Sequence, residues 1–190
     1  METYRLFIAA ELPPPVKTAL VGIQERLQRG NPPVRWVAPD AMHLTLHFLG
    51  ETDAALLPRL GTALRAAAAG HAAIELHLAG AGAFPNLRQP GVLWVGVGGA
   101  VAALQRLQAA VETAIAALGL PRESRPFHPH LTLGRVRRDA TPAQRARLGA
   151  AIQSIPAIAP TPWTIERLIV FRSQLASGGP VYTELDSVPL

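Results

Sequence analysis

The chain uses one tetrad twice: His43-Leu44-Thr45-Leu46 and His130-Leu131-Thr132-Leu133. In each, polar and apolar residues alternate, the period of a strand with one buried face. Successive side chains on a strand point to opposite faces. His43 and Thr45 therefore share a face, and His47 joins them by the same parity. Leu44, Leu46 and Phe48 fall on the other face. In the second copy His130 and Thr132 share a face, with Leu131 and Leu133 behind them. Such a chain must bury two apolar faces and leave two His-Thr faces open. The competing reading is two amphipathic strands whose polar faces simply meet water.

The rest of the chain supplies elements around these strands. Arg5-Leu6-Phe7-Ile8-Ala9-Ala10 reads as a buried strand. Pro13–Pro15 open a helix with Val16, Leu20, Ile23 and Leu27 at helical spacing. Val34–Val37 is a short strand. After the first tetrad, Thr52 or Asp53 caps a helix through Leu56, Leu60 and Leu64. Strands follow at 73–78 and 92–97, then a helix with Val101, Leu104, Leu107, Val111, Ile115 and Leu118 on one stripe. The second tetrad comes next, and Thr141-Pro142 opens another helix. A long strand is expected over 163–172. It should turn at Gly178-Gly179 into a hairpin partner over 181–185. The two tetrads occupy comparable places, each followed by a helix. The expected fold class is therefore α+β, a single domain over 1–190. Two halves of similar build place antiparallel or mixed sheets across a cleft, with helices outside.

Charge and composition narrow the partners. The net charge is +5, and Lys17 is the one lysine beside seventeen arginines. Such a surface suits a polyanion such as RNA, and arginine binds phosphate bidentately. Without cysteine there are no disulfides and no thiolate metal site. The start, Met1-Glu2-Thr3-Tyr4-Arg5, lacks the pattern of a signal peptide, and no stretch is apolar for the length of a membrane span. The expected location is the cytoplasm, with no membrane partner and a monomer as the default.

Beyond the tetrads, the chain resembles the 2H phosphoesterases, and within them the RNA 2′,3′-cyclic phosphodiesterases, also called 2′-5′ RNA ligases. Arg5-Leu6-Phe7-Ile8-Ala9 with Leu12-Pro13 is similar to the family's opening. Trp36-Val37, His43-Leu44-Thr45-Leu46 and Phe48-Leu49-Gly50 match its first motif and flanks. Phe127, Pro129, His130-Leu131-Thr132-Leu133 and Arg135 match the second, and Ser173, Leu175, Gly179 and Tyr182 its closing hairpin. The resemblance implies two lobes with the tetrads facing each other on central strands. It implies hydrolysis of a 2′,3′-cyclic phosphate on RNA to a 2′-phosphomonoester. It also implies 2′-5′ ligation of tRNA half-molecules without ATP, and no cofactor or metal. It makes His43 the proton donor and His130 the proton acceptor.

The residue types suit that chemistry. Opening a cyclic phosphodiester needs a base for the water and an acid for the leaving oxygen, and imidazole does either near neutrality. Thr45 and Thr132, one pleat along, are placed to donate to the non-bridging oxygens. Arg135 is the candidate cation for the phosphate. Strand parity sends it to the face opposite His130, so a bulge or twist is required. Arg137 and Arg138 are outer RNA contacts or plain surface charge. His47 and His128 share the motif face by parity but read as supporting or solvated groups. Phe48, Phe84 and Trp94 are candidates to stack on a base, with the core the first expectation for each. A metal on His43 and His47 is disfavoured, because i and i+4 lie far apart on a strand. Alternatives are ligation, cleavage of a 2′-5′ linked oligonucleotide, a metallophosphodiesterase, and a protein that binds RNA ends without catalysis.

Overall fold

The computed structural model describes residues 2–123, 125–176 and 179–190. Thirteen elements follow the expected order among them. They are β1 (Thr3–Glu11), α1 (Pro14–Gln28), β2 (Val34–Trp36), β3 (His43–Asp53), α2 (Leu57–Ala68), β4 (Ile74–Phe84) and β5 (Val92–Gly99). After these come α3 (Val101–Ala117), β6 (His130–Val136), α4 (Pro142–Gln153), β7 (Pro162–Ile165), β8 (Arg167–Ala176) and β9 (Gly179–Pro189). Gly178, half of the expected turn, lies outside the described residues.

The strands form two antiparallel sheets. One runs β3-β1-β8-β9 and the other β2-β6-β5-β4-β7. The fold is α+β, as expected. The tetrad strands are not central: β3 is an edge strand, and β6 lies one in from an edge. They nevertheless pack against each other, because the cleft lies where the two sheets meet. The expected long strand over 163–172 is also two strands. The chain leaves the second sheet at Glu166 and enters the first. The burial pattern changes there, from alternate burial of Trp163 and Ile165 to consecutive burial of Leu168, Ile169 and Val170.

The leucines of both tetrads are buried, each burial stabilising the fold by about 1.5–3 kcal/mol. Helix α1 starts on two prolines and buries Val16, Leu20, Ile23 and Leu27, the expected stripe. Asp53 accepts from the Ala55 amide and caps the 3₁₀ turn before α2. Thr141 and Gln144 form a capping box at α4, satisfying two helix-end donors.

Candidate active site

Both motif histidines are held in the same way. The His43 Nδ1 lies 2.8 Å from the carbonyl oxygen of Ala41, and the His130 Nδ1 lies 2.6 Å from that of His128. Each carbonyl belongs to the residue two places earlier, where the chain enters the strand. A carbonyl only accepts, so Nδ1 carries the proton and donates. Nε2 is thereby left free to accept or deliver a proton. Each ring also stands among aromatics. His43 packs against Phe7 (centroids 4.7 Å apart) and edge-on to Tyr182 (5.2 Å). His130 meets Phe84 edge-on at 5.0 Å, and Trp94 lies beyond at 6.5 Å.

Burial sets the protonation of both rings. It pushes the His43 imidazole down to about 4, opposed by the bond to Ala41 and reinforced by the charge of His130. His130 is also held below its usual value, by burial first, with Arg135 and His128 adding to the effect. The two histidines therefore lie within electrostatic reach of each other. Arg135 reaches across the cleft as well. Tyr182, on the opposite sheet, has its phenol raised by burial while Arg135 and Arg5 pull it down.

Arg135 arrives by a bulge. Against β5, Gly134 pairs with Leu93 and Thr132 with Trp94, so Leu133 has no partner there. The extra residue reverses parity, and Arg135 lies on the face of His130 and Thr132. The same irregularity occurs in β3. His47 pairs with Ile8 and Thr45 with Ala9, which leaves Leu46 unmatched. Both bulges fall at the third position after the histidine, and both turn the fifth residue toward the cleft. That residue is Phe48 in the first copy and Arg135 in the second.

The β3 bulge overturns the parity expected for His47 and Phe48. His47 is 2% exposed and turned away from His43. Its Nε2 lies 3.2 Å from the Pro121 carbonyl, in the loop leading to the second tetrad. Phe48, expected in the core, is 55% exposed, with its ring 6.0 Å from that of Phe7. Phe84 and Trp94, also expected in the core, are walls around His130. Gly82 lies against the Trp94 indole, where a Cβ would overlap the ring.

Thr45 and Thr132 are half-buried, and neither hydroxyl bonds another described group. Arg137 is exposed and pairs with Asp139 at 2.9 Å. Arg138 and His128 are exposed, and His128 serves the site through its carbonyl. Sequence reasoning gave Phe7, Phe171 and Tyr182 no role at the site. Their rings cluster beside His43, and the signals among them were the matches of Phe7 to the family's opening and of Tyr182 to its closing hairpin. Gln24 was missed too. It is 4% exposed, and its amide donates to the carbonyls of Val37 (2.8 Å) and Leu133 (2.7 Å). Leu133 is the bulged residue. Among the described residues no group of three or more His, Cys, Asp and Glu is placed to hold a metal. No described helix is long and apolar enough to cross a membrane.

A family model described as the 2′-5′ RNA ligase superfamily matches residues 13–176. The RNA 2′,3′-cyclic phosphodiesterase of Thermus thermophilus is 35% identical over 193 residues, covering 98% of this chain and 90% of that one. The protein of the same name from Methanothermobacter thermautotrophicus is 30% identical over 182 residues, 96% of each chain. Among solved structures, E. coli LigT complexed with 3′-AMP superposes with a TM-score of 0.80 at 27% identity. It covers 100% of this chain and 99% of that one.

Proposed function

Because this chain belongs to the 2′-5′ RNA ligase superfamily, we propose that it hydrolyses the 2′,3′-cyclic phosphate ends of RNA to 2′-phosphomonoesters without a metal, with His43 as proton donor and His130 as acceptor. One observation carries the reading. Two imidazoles on strands that contact each other, each pinned through Nδ1 to the carbonyl two residues back, keep Nε2 free for proton transfer, and the charge of His130 is felt at His43. The Thermus and Methanothermobacter relatives are named RNA 2′,3′-cyclic phosphodiesterases. The E. coli relative has been crystallised with 3′-AMP and with phosphate.

In the reaction a water attacks phosphorus on the His130 side and gives its proton to the His130 Nε2. The P–O3′ bond breaks on the opposite side, and the His43 Nε2 protonates the departing 3′ oxygen. The phosphate stays on the 2′ oxygen. Holding both groups in line removes most of the entropy of assembling them. His43 is neutral in the free protein at neutral pH, so a donor must first be charged. The anionic phosphate favours the imidazolium and raises His43 as substrate binds. The hydroxyls of Thr45 and Thr132 and the guanidinium of Arg135 stabilise the charge building on the non-bridging oxygens. Phe48 offers its exposed ring to the terminal base. A 5′ hydroxyl in place of water would give a 2′-5′ linkage by the same proton transfers. The family model's own description favours keeping that second reading.

The test is an RNA carrying a 2′,3′-cyclic end, incubated with purified protein in excess EDTA and its products resolved. A 2′-phosphate product is expected at an undiminished rate. A 3′-phosphate product would exchange the roles of the histidines, and loss of activity in EDTA would mean a metal mechanism.

A further inference from the structure

Strands β2 and β6 set two arginines directly opposite each other. Arg35 pairs with Arg135 in the antiparallel register. Opposed residues in such a pair share a face, with Cα atoms about 4.5–5.5 Å apart. Like charges in that position destabilise the sheet, and a guanidinium does not shed its proton to escape. Neither side chain is relieved from within, for neither makes an ion pair or hydrogen bond among the described residues. The other face of β2 is engaged differently, since Val34 and Trp36 pack against the core. Arg35 is thus an exposed cation held against another cation, on the face that carries His130 and Thr132.

We propose that Arg35 and Arg135 together form a subsite for the internal phosphodiester next to the cyclic end, so that an RNA chain is preferred over a mononucleotide. The inference rests on the cyclic phosphodiesterase reading and deepens it. Arg135 shares a strand face with His130 and Thr132 and acts electrostatically on both His130 and Tyr182, which suits it to the reacting phosphate. Arg35 stands one strand further out, at the sheet edge. A cyclic phosphate closes the 3′ end of a chain, so the remaining nucleotides extend 5′-ward. Leaving across β6 and β2, their first internal phosphate meets Arg35. That phosphate supplies the negative charge the arginine pair lacks, and a guanidinium fork suits its oxygens.

The test compares 2′,3′-cyclic AMP with the dinucleotide ApA bearing a 2′,3′-cyclic end, which adds one internal phosphate. The readout is the ratio of their kcat/KM values in wild type, Arg35→Gln and Arg35→Lys. Arg35→Gln is expected to lower the dinucleotide-to-mononucleotide ratio about tenfold through KM, and Arg35→Lys to recover most of it. In the wild-type protein, log kcat/KM against log salt should be steeper for the dinucleotide by about 0.7, the slope of one single-strand phosphate contact. A ratio that Arg35→Gln leaves unchanged, whether both rates fall or neither, overturns the subsite, as do equal salt slopes. If wild type cleaves neither substrate, the activity reading fails, and the subsite with it.

Discussion

Each motif histidine meets the cleft with its tautomer already chosen, because the carbonyls of Ala41 and His128 accept from Nδ1. Nitrogen-resolved NMR of the free protein at neutral pH should find both rings neutral, with the proton on Nδ1. The opposite tautomer at either would remove the proposed acid and base. His43 also leaves a mark on stability. Its folded value is lowered to about 4 from an ordinary 6.5, so between those values the unfolded chain binds more protons than the folded one. Stability therefore rises with pH through that window, is fully present above 6.5, and is lost as pH falls toward 4. The loss from this one ring is up to about 3 kcal/mol, and denaturant unfolding of His43→Gln between pH 4 and 7 should lack that portion of it. The shared face of His43 with Thr45, and of His130 with Thr132, was legible from the tetrads alone. The depressed His43 was not. It comes from burial beside Phe7 and Tyr182, whose places in the chain give no hint that they meet at this ring.

At the scale of elements, two matched bulges decide what faces the cleft. Alternation correctly placed the histidines and threonines, then failed beyond the third residue of each tetrad. It sent His47 toward the cleft and Phe48 toward the core, and it left Arg135 on the wrong face without a bulge. A bulge is an extra residue relative to the partner strand, so it is invisible in the strand's own pattern. The partner register shows it, and Gln24 of α1 holds one of the two by donating to the Leu133 carbonyl. Gln24→Leu should cost about 1–3 kcal/mol, because the Val37 carbonyl loses its donor and the Leu133 carbonyl keeps just the Val37 amide. It should also raise KM for the cyclic substrate as Arg135 loses its aim, read by unfolding and steady-state kinetics on one preparation. Stability lost with KM unchanged would mean that Arg135 does not depend on the bulge. The opposed arginines make a prediction of the other sign. Arg35→Thr should stabilise the free protein by about 0.2–1 kcal/mol, and destabilisation would mean that Arg35 packs rather than repels.

Over the whole molecule, the chain interlaces its two lobes. Helix α1 follows a strand of the first sheet, yet its Gln24 serves β6 of the second. Helix α3 follows β5 of the second sheet, yet packs on α2 and β3. The chain crosses again between β7 and β8. Paired α+β halves and a cleft were readable from the repeated tetrad and the family resemblance. The crossing of helices was not, because periodicity marks which face is buried and says nothing of which sheet buries it. Shared elements should make the lobes unfold together, so tryptophan fluorescence and far-ultraviolet circular dichroism should give one coincident denaturant transition. Separate midpoints would mean that each lobe holds its own fold. In the proposed function, one imidazole on each lobe serves a single phosphorus atom. This arrangement is tested most directly by the pH dependence of kcat for wild type, His43→Ala and His130→Ala on a 2′,3′-cyclic substrate. The account predicts a bell for wild type and a fall of about 10²–10⁴-fold in each variant, with the alkaline limb missing in His43→Ala and the acid limb missing in His130→Ala. Near-normal turnover in either variant, or both limbs surviving in one, would contradict it.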